Sequence, residues 1–456
     1  MSAAGDPATE VPGRPLPTWF DDAKLGIFVH WTAAAVPAYA PITDSPFDLA
    51  GGSGWEEAMR SSPYVEWYWN SISIEGSPAA LHHAAHHGDV PYDTFVEQFL
   101  DGHGGWSAGP WADLFEAAGA RYVVLVTKHH DGVLLWPSAT PNPNKARWAS
   151  DRDIVGELAE AARARGLRFG TYYSGGLDWS FGGLPMTDLR SMFGAIPQTP
   201  EYVAYVDAHW RELVERYRPD VLWGDIGSPA DLDLEALFAD YYMAVPDGVV
   251  NNRFDWIAQT AGGRHCDFVT PEYSTKGDPH RKWESTRGIG TSFGFNREES
   301  DATYLSPAAL IRMFVDVVAN GGNLLLNVGP TAEGTVPFAQ AERLLALGWW
   351  LGTNGDAVYG TRPWPGAAAA GTTTGAGQEV RYTEGDDAVF AIVCDTPPTD
   401  SVELGVGLPD GAEVRLLGHE GPLRWESADV GVRVSLPGRP AEGPALALRL
   451  PGAQPI

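Results

Sequence analysis

From Leu25 to about residue 350 the chain repeats one theme: a short apolar run ends in polar residues, and a stretch of helical spacing follows. Leu25–Val29 ends at His30, and residues 122–127 end at Lys128-His129-His130-Asp131. Residues 168–173 end at Ser174, and residues 221–223 at Gly224-Asp225. Val249–Val250 runs into Asn251-Asn252-Arg253, residues 268–270 lead to Glu272, and residues 324–328 come last. The runs do not alternate apolar with polar, which is the pattern of strands buried on both faces of a parallel sheet. Between them, Asp153 is placed to cap a helix carrying Ile154, Leu158 and Ala161, with Gly166 as its stop. Residues 201–217 set Val203, Val206, Trp210, Leu213 and Val214 at helical spacing before Pro219, and 307–320 do the same with Leu310, Phe314 and Val317.

Strand and helix alternating this many times favour a closed (β/α)8-like TIM barrel over an open sheet. The barrel has a consequence for chemistry. His30, His129, His130, Asp225, Arg253 and Glu272 each follow a predicted strand, and in a barrel those ends share one face. A doubly wound sheet would gather only the residues at its switch point. Near residue 365 the composition changes to GAAAAGTTTGAG, and short alternating segments punctuated by Gly and Pro follow. They predict an antiparallel β-sandwich. The expected organisation is a flexible segment over 1–17, a barrel over 18–364 and the sandwich over 365–456. Residues 40–64 and 75–90, rich in small residues, Gly and Pro, read as loops.

Lys plus Arg number 31 and Asp plus Glu 59, a formal charge of −28. This excess argues against nucleic acid and anionic membranes as partners, since both need clustered cations. No run is apolar and long enough for a membrane helix. The N-terminus lacks a basic stretch followed by an apolar one, so the cytoplasm is expected, with secretion of a longer precursor left open. Cys266 and Cys394 are too few for a disulfide framework or a four-cysteine zinc site. Self-association is left open.

The chain has 18 Trp, and Trp31, Trp67, Trp179, Trp223 and Trp283 lie beside or near His, Asp or Glu. Flat apolar rings next to hydrogen-bonding groups suit ligands with both C–H faces and hydroxyls, namely sugars. Asp225 ends a buried strand, where a bare carboxylate needs a role or a partner. Glu272 and Glu284 are the candidates to complete the pair of carboxyls that glycoside hydrolysis requires. Glu272 follows a predicted strand and is preferred; Glu284 sits in the charged stretch Arg281-Lys282-Trp283-Glu284 and is the runner-up. His129 and His130 with His30 raise the alternative of a metal-dependent barrel hydrolase. Adjacent residues on a strand point to opposite faces, so hydrogen bonding to hydroxyls is preferred and no metal or cofactor is expected. His82-His83 and His86-His87 are read as a solvated loop.

At this point the residues resemble a known family. Lys24-Leu-Gly-Ile-Phe-Val-His30-Trp31, Glu66-Trp-Tyr68, Thr127-Lys-His-His-Asp-Gly132, Gly170-Thr-Tyr-Tyr-Ser174, Leu222-Trp-Gly-Asp225, Asn251-Asn-Arg253, Trp283-Glu284 with Ser292-Phe-Gly-Phe-Asn296, and Asn320-Gly-Gly-Asn323 occur in order. In combination they are similar to glycoside hydrolase family 29, the α-L-fucosidases. The resemblance implies a barrel plus β-sandwich and retaining hydrolysis of terminal α-L-fucosyl residues from a fucosylated oligosaccharide or glycoconjugate. It places the nucleophile on Asp225 and leaves the general acid/base inferred on Glu272. It implies His30, Glu66, Trp67, Tyr68, His129, His130, Tyr173, Trp223, Arg253, Trp283 and Phe293 as sugar-binding residues. Thr32 and Gly224 depart from the family pattern close to the site. A sugar-binding protein without catalysis is the further alternative, and Asp225 argues against it.

Overall fold

The computed structural model of the chain describes residues 14–43, 54–255, 265–438 and 443–456. Of the segment expected to be flexible, residues 1–13 lie outside the described residues. Seven parallel strands curl into a half-barrel: β1 (Leu25–Val29), β2 (Tyr122–Lys128), β3 (Arg168–Ser174), β4 (Val221–Asp225), β5 (Val249–Val250), β6 (Glu284–Gly288) and β7 (Asn323–Val328). Their spatial order is β5-β4-β3-β2-β1-β7-β6. β1 lies between β2 and β7, with Ile27 beside Val123 and Leu326.

Residues 268–272 span the gap between β5 and β6 as an irregular eighth stave. Phe268 bridges Asn251, Val269 bridges Trp283, and Glu272 bridges Thr286, all in parallel. The Asp267 N–H donates to Val250 O at 2.9 Å and the Glu284 N–H to Val269 O at 2.8 Å. Pro271 has no N–H to give, so the ladder cannot run unbroken here. The (β/α)8-like expectation is met with this one stave reduced to single bridges.

Every residue of β1, β2, β4 and β7 is buried, as the non-alternating runs require. One strand face fills the barrel with Phe28, Tyr122, Val124, Tyr172, Trp223 and Leu325. The other face, with Ile27, Val123, Leu125, Phe169 and Leu326, packs under the surrounding helices. Gly26 belongs to the inner face, where a Cβ would stand 2.4 Å from the Tyr122 ring. The helices start where their caps predict. Asp153 accepts the Gly156 N–H at 2.9 Å ahead of Ile154–Arg163, and Gly166 beyond it takes φ 74°. Thr199 caps Pro200–Tyr217, and Ser306 caps Pro307–Ala319.

Three local expectations are corrected. Residues 75–90 are not a loop: Ser77 caps the helix Pro78–His86, with Pro78 in its first turn. His83 on that helix is buried against the Tyr68 hydroxyl, and His82 stacks on Tyr39, so these histidines are only partly solvated. Within 40–64, Trp55–Arg60 is helical, while residues 44–53 lie outside the described residues. The charged stretch ending at Glu284 runs straight into β6, and Glu284 itself is fully buried.

Beyond the barrel, a five-stranded antiparallel sheet runs in the order Arg415–Leu416, Ala445–Leu450, Val389–Cys394, Val380–Glu384, Arg362–Pro363. A three-stranded sheet of Ser401–Leu404, Val432–Ser435 and Trp425–Ser427 faces it across a second apolar core. Alternation decides which residue faces which core. Val389, Ala391 and Val393 enter the sandwich core, whereas Phe390, Ile392 and Cys394 join the core of the barrel helices. Among the described residues, no helix is long and apolar enough to cross a membrane.

Candidate active site

A pocket of about 1050 Å³, counting its open mouth, sits over the C-terminal ends of the strands. Its floor follows from strand geometry, since residues two apart share a face. On β1 and just past it, Phe28 and His30 both reach the pocket, and on β4 Trp223 and Asp225 do so. β3 offers Tyr172, and the turn after β5 offers Arg253. The irregular stave supplies Glu272, and the excursion between β1 and β2 supplies Tyr64, Glu66 and Trp67.

Asp225 has a partner on each oxygen. The Tyr172 hydroxyl donates to Oδ2 at 2.8 Å, and Arg253 Nη1 donates to Oδ1 at 3.2 Å. The same Arg253 nitrogen donates to Glu272 Oε1 at 2.6 Å, while the Tyr64 hydroxyl donates to Glu272 Oε2 at 3.3 Å. Arg253 is itself anchored by Thr270: Nε donates to its Oγ1 at 2.8 Å and Nη2 to its carbonyl at 2.9 Å. Burial raises the Asp225 pKa above the ordinary carboxylate value, and the Arg253 charge works against that rise.

The histidines are neutral, and neighbours fix the tautomers of His30 and His130. Asn327 Nδ2 donates to Phe293 O, which turns its Oδ1 toward His30 Nδ1 at 2.6 Å. His30 therefore carries its proton on Nδ1 and keeps Nε2 as an acceptor. Burial pushes its pKa down to about 3. The Ser174 hydroxyl donates to Leu177 O at 2.8 Å, so it accepts from His130 Nδ1 at 2.7 Å. His130 Nε2 is then also an acceptor, 3.9 Å from Asp225 Oδ2. His129 stacks on Tyr172, and burial holds it neutral as well. Glu66 accepts the Gly294 N–H on Oε2 at 2.8 Å, and burial raises its pKa to about 8. Among the described residues, no three His, Cys, Asp or Glu side chains group in a way that could hold a metal ion.

The structure brings together Asp225, Glu272, His30, Glu66, Trp67, His129, His130, Trp223, Arg253 and Phe293 around this pocket. Four expected site residues lie outside it. Tyr68 turns away, and its hydroxyl pairs with His83 Nδ1 at 2.9 Å. Tyr173 occupies the outer face of β3, where its hydroxyl pairs with His209 Nδ1 at 2.9 Å. Trp283 is buried in the outer core and donates to Asn320 O at 3.2 Å. Glu284, the runner-up acid, lies inside the barrel beneath the pocket. It accepts from Trp223 Nε1 at 3.1 Å and from the Tyr122 hydroxyl. Nor do the two departures reshape the pocket. Thr32 is not among its lining residues, and a Cβ on Gly224 would meet the Phe254 ring at 2.7 Å on the strand's outer side.

Comparison with known proteins decides the family. Residues 5–356 match the family model described as Alpha-L-fucosidase, and residues 374–450 match the Alpha-L-fucosidase C-terminal domain. The chain belongs to the alpha-L-fucosidase family, glycoside hydrolase family 29. It is 36% identical to the plasma alpha-L-fucosidase of Rattus norvegicus over 445 residues, which cover 93% of this chain and 88% of that protein. The crystal structure of Thermotoga maritima alpha-fucosidase with a mechanism-based inhibitor superposes with a TM-score of 0.85 at 39% identity, covering 96% of this chain and 97% of that one. The same Thermotoga maritima enzyme in complex with fucose gives a TM-score of 0.83 at 39% identity, with the same coverage. The protein is thus a glycoside hydrolase acting on α-L-fucosides.

For an alpha-L-fucosidase pocket, sequence reasoning missed Tyr64, Tyr172 and an apolar wall of Trp55, Met59, Leu189, Met192, Phe193 and Ile226. Tyr172 could have been found. It stands two residues before Ser174 on a strand whose end was already expected at the barrel mouth, so period two puts it on the face opposite Tyr173. The wall residues come from short helices and turns without a periodic signal.

Proposed function

We propose that the enzyme removes terminal α-L-fucosyl residues with net retention, with Asp225 as nucleophile and Glu272 as general acid/base. The observation that carries this reading is the shared Arg253 nitrogen. Because Nη1 reaches both carboxylates, the two nearest oxygens are within about 6 Å of each other, which suits the roughly 5–5.5 Å of a retaining pair better than the roughly 6.5–9.5 Å of an inverting one.

Asp225 attacks the anomeric carbon while Glu272 gives its proton to the departing oxygen. Water, deprotonated by the same glutamate, then breaks the fucosyl ester. The Tyr172 and Arg253 donors hold both oxygens of Asp225 in place for attack. The unprotonated Nε2 atoms of His30 and His130 accept from sugar hydroxyls. Fucose carries a methyl group where other hexoses carry a 6-hydroxyl, and the rings of Phe28, Trp223 and Phe293 offer it an apolar wall. Chemistry of this kind calls on no metal or organic cofactor.

The test is the configuration of the first sugar released from an aryl α-L-fucoside, followed by proton NMR before mutarotation. Retention releases α-L-fucose first. Release of the β anomer first overturns the double displacement.

A further inference from the structure

Two non-glycine residues next to the reacting carboxylates hold left-handed backbone conformations: Ile226, φ 55°, follows Asp225, and Tyr273, φ 51°, follows Glu272. For a β-branched residue this is a steric outlier, because Cβ crowds the following carbonyl oxygen. Glycine would take the same conformation without cost. Ile226 therefore stands against its own backbone preference, and strain of that kind gathers at working sites. Its side chain does not fill the barrel. It is half-buried, packs on the apolar cluster over the pocket, and lines the pocket itself.

The wall that Ile226 joins has a uniform chemistry. The helix Trp55–Arg60 contributes Trp55 and Met59, and the helix Leu189–Gly194 contributes Leu189, Met192 and Phe193. Both helices turn their charges outward: Glu56, Glu57, Arg60 and Arg190 are exposed. The second helix is pinned by a capping box, in which Asp188 accepts the Ser191 N–H at 2.7 Å and Ser191 Oγ accepts the Asp188 N–H at 2.9 Å. The polar groups of the pocket come instead from the strand ends and the 64–67 segment. The pocket thus gathers its polar groups at the floor, among the rings of Phe28, Trp223 and Phe293, and carries a purely apolar wall at its mouth. A fucose ring uses the floor, so whatever hangs on its anomeric oxygen must leave past the wall.

We infer that this wall is the leaving-group site, and that Ile226 and Met192 make the enzyme favour fucosides whose leaving group presents an apolar face. Unbranched thioethers such as Met59 and Met192 adapt to varied apolar shapes, so the preference is for apolar surface and not for one aglycone. The inference rests on Asp225 and Glu272 being the reacting pair.

Ethyl and n-hexyl α-L-fucoside test it, because their alcohols are nearly equal in acidity and differ by four methylenes. The hexyl fucoside should show a kcat/KM at least about tenfold higher. Ile226→Gly and Met192→Ala should each cut the hexyl-to-ethyl ratio at least about threefold. Inhibition by ethyl and hexyl 1-thio-α-L-fucosides should give the same ranking without catalysis. If Ile226→Gly fails to fold, the Met192→Ala ratio decides. Equal kcat/KM for the two alkyl fucosides, or a hexyl preference that survives substitution, overturns the leaving-group site. Should Asp225→Gly keep near-normal turnover of 4-nitrophenyl α-L-fucoside, the assignment of the reacting pair fails instead. Turnover of the aryl fucoside without a hexyl preference removes the leaving-group site alone.

Discussion

Asp225 and Glu272 converge on one nitrogen of Arg253, at 3.2 Å and 2.6 Å. Two carboxyl groups this close would repel strongly if both were ionised in a buried site, and the guanidinium between them opposes that repulsion. Glu272 holds the shorter contact, while Asp225 has Tyr172 as its second support.

Arg253→Gln should therefore raise the pKa of Asp225, because burial already raises it and the arginine charge is what opposes the rise. The acid limb of kcat/KM for an aryl α-L-fucoside should move upward by about one pH unit or more. An unmoved limb would mean that Arg253 does not govern Asp225.

Glu272→Ala should discriminate by leaving group. Substrates with poor leaving groups should lose about a hundredfold or more, and activated aryl fucosides much less, because only the former need a proton on the departing oxygen. Glu284→Ala should lower kcat/KM by a similar factor for all of them. Its carboxylate only supports Trp223 and Tyr122 from beneath. A steep leaving-group dependence in Glu284→Ala with none in Glu272→Ala would reverse the assignment.

Glu66 ties stability to pH. Burial pushes its pKa up to about 8 from the ordinary carboxylate value of 4.5. Between those values the folded state binds the extra proton, so this contribution is complete at low pH and is lost as pH rises through 8. Glu66→Gln keeps a neutral acceptor for the Gly294 N–H. It should make Tm fall less steeply than in wild type between about pH 5 and 8. Glu284 and Glu299, both raised to about 7 by burial, act in the same sense and keep the slope from vanishing. Parallel Tm curves for the two proteins would contradict the buried, protonated Glu66.

The strands whose ends carry His30, His129, His130 and Asp225 were legible because double-faced burial leaves unbroken apolar runs. Arg253 and Glu272 were legible for a different reason, as polar residues just past such runs. Tyr172 and Tyr173 are adjacent and alike in sequence, and the register of the strand decides which one faces inward. Glu284 sits in a charged stretch behind Arg281 and Lys282, yet Lys282 pairs with Asp21 at 2.7 Å and the strand turns Glu284 into the barrel. The apolar wall was invisible for a physical reason. Its short helices take their places from packing on one another and carry too few turns for a periodic pattern to show.

Replacing the Asp225 carboxylate and supplying an external nucleophile is the most direct measurement. Asp225→Gly should fold normally and lose several orders of magnitude in turnover of an aryl α-L-fucoside, and added azide should restore part of it. The rescued product should be β-L-fucosyl azide, formed by a single inversion at the vacated position. Near-normal turnover in Asp225→Gly, or an azide product of α configuration, would contradict Asp225 as the nucleophile.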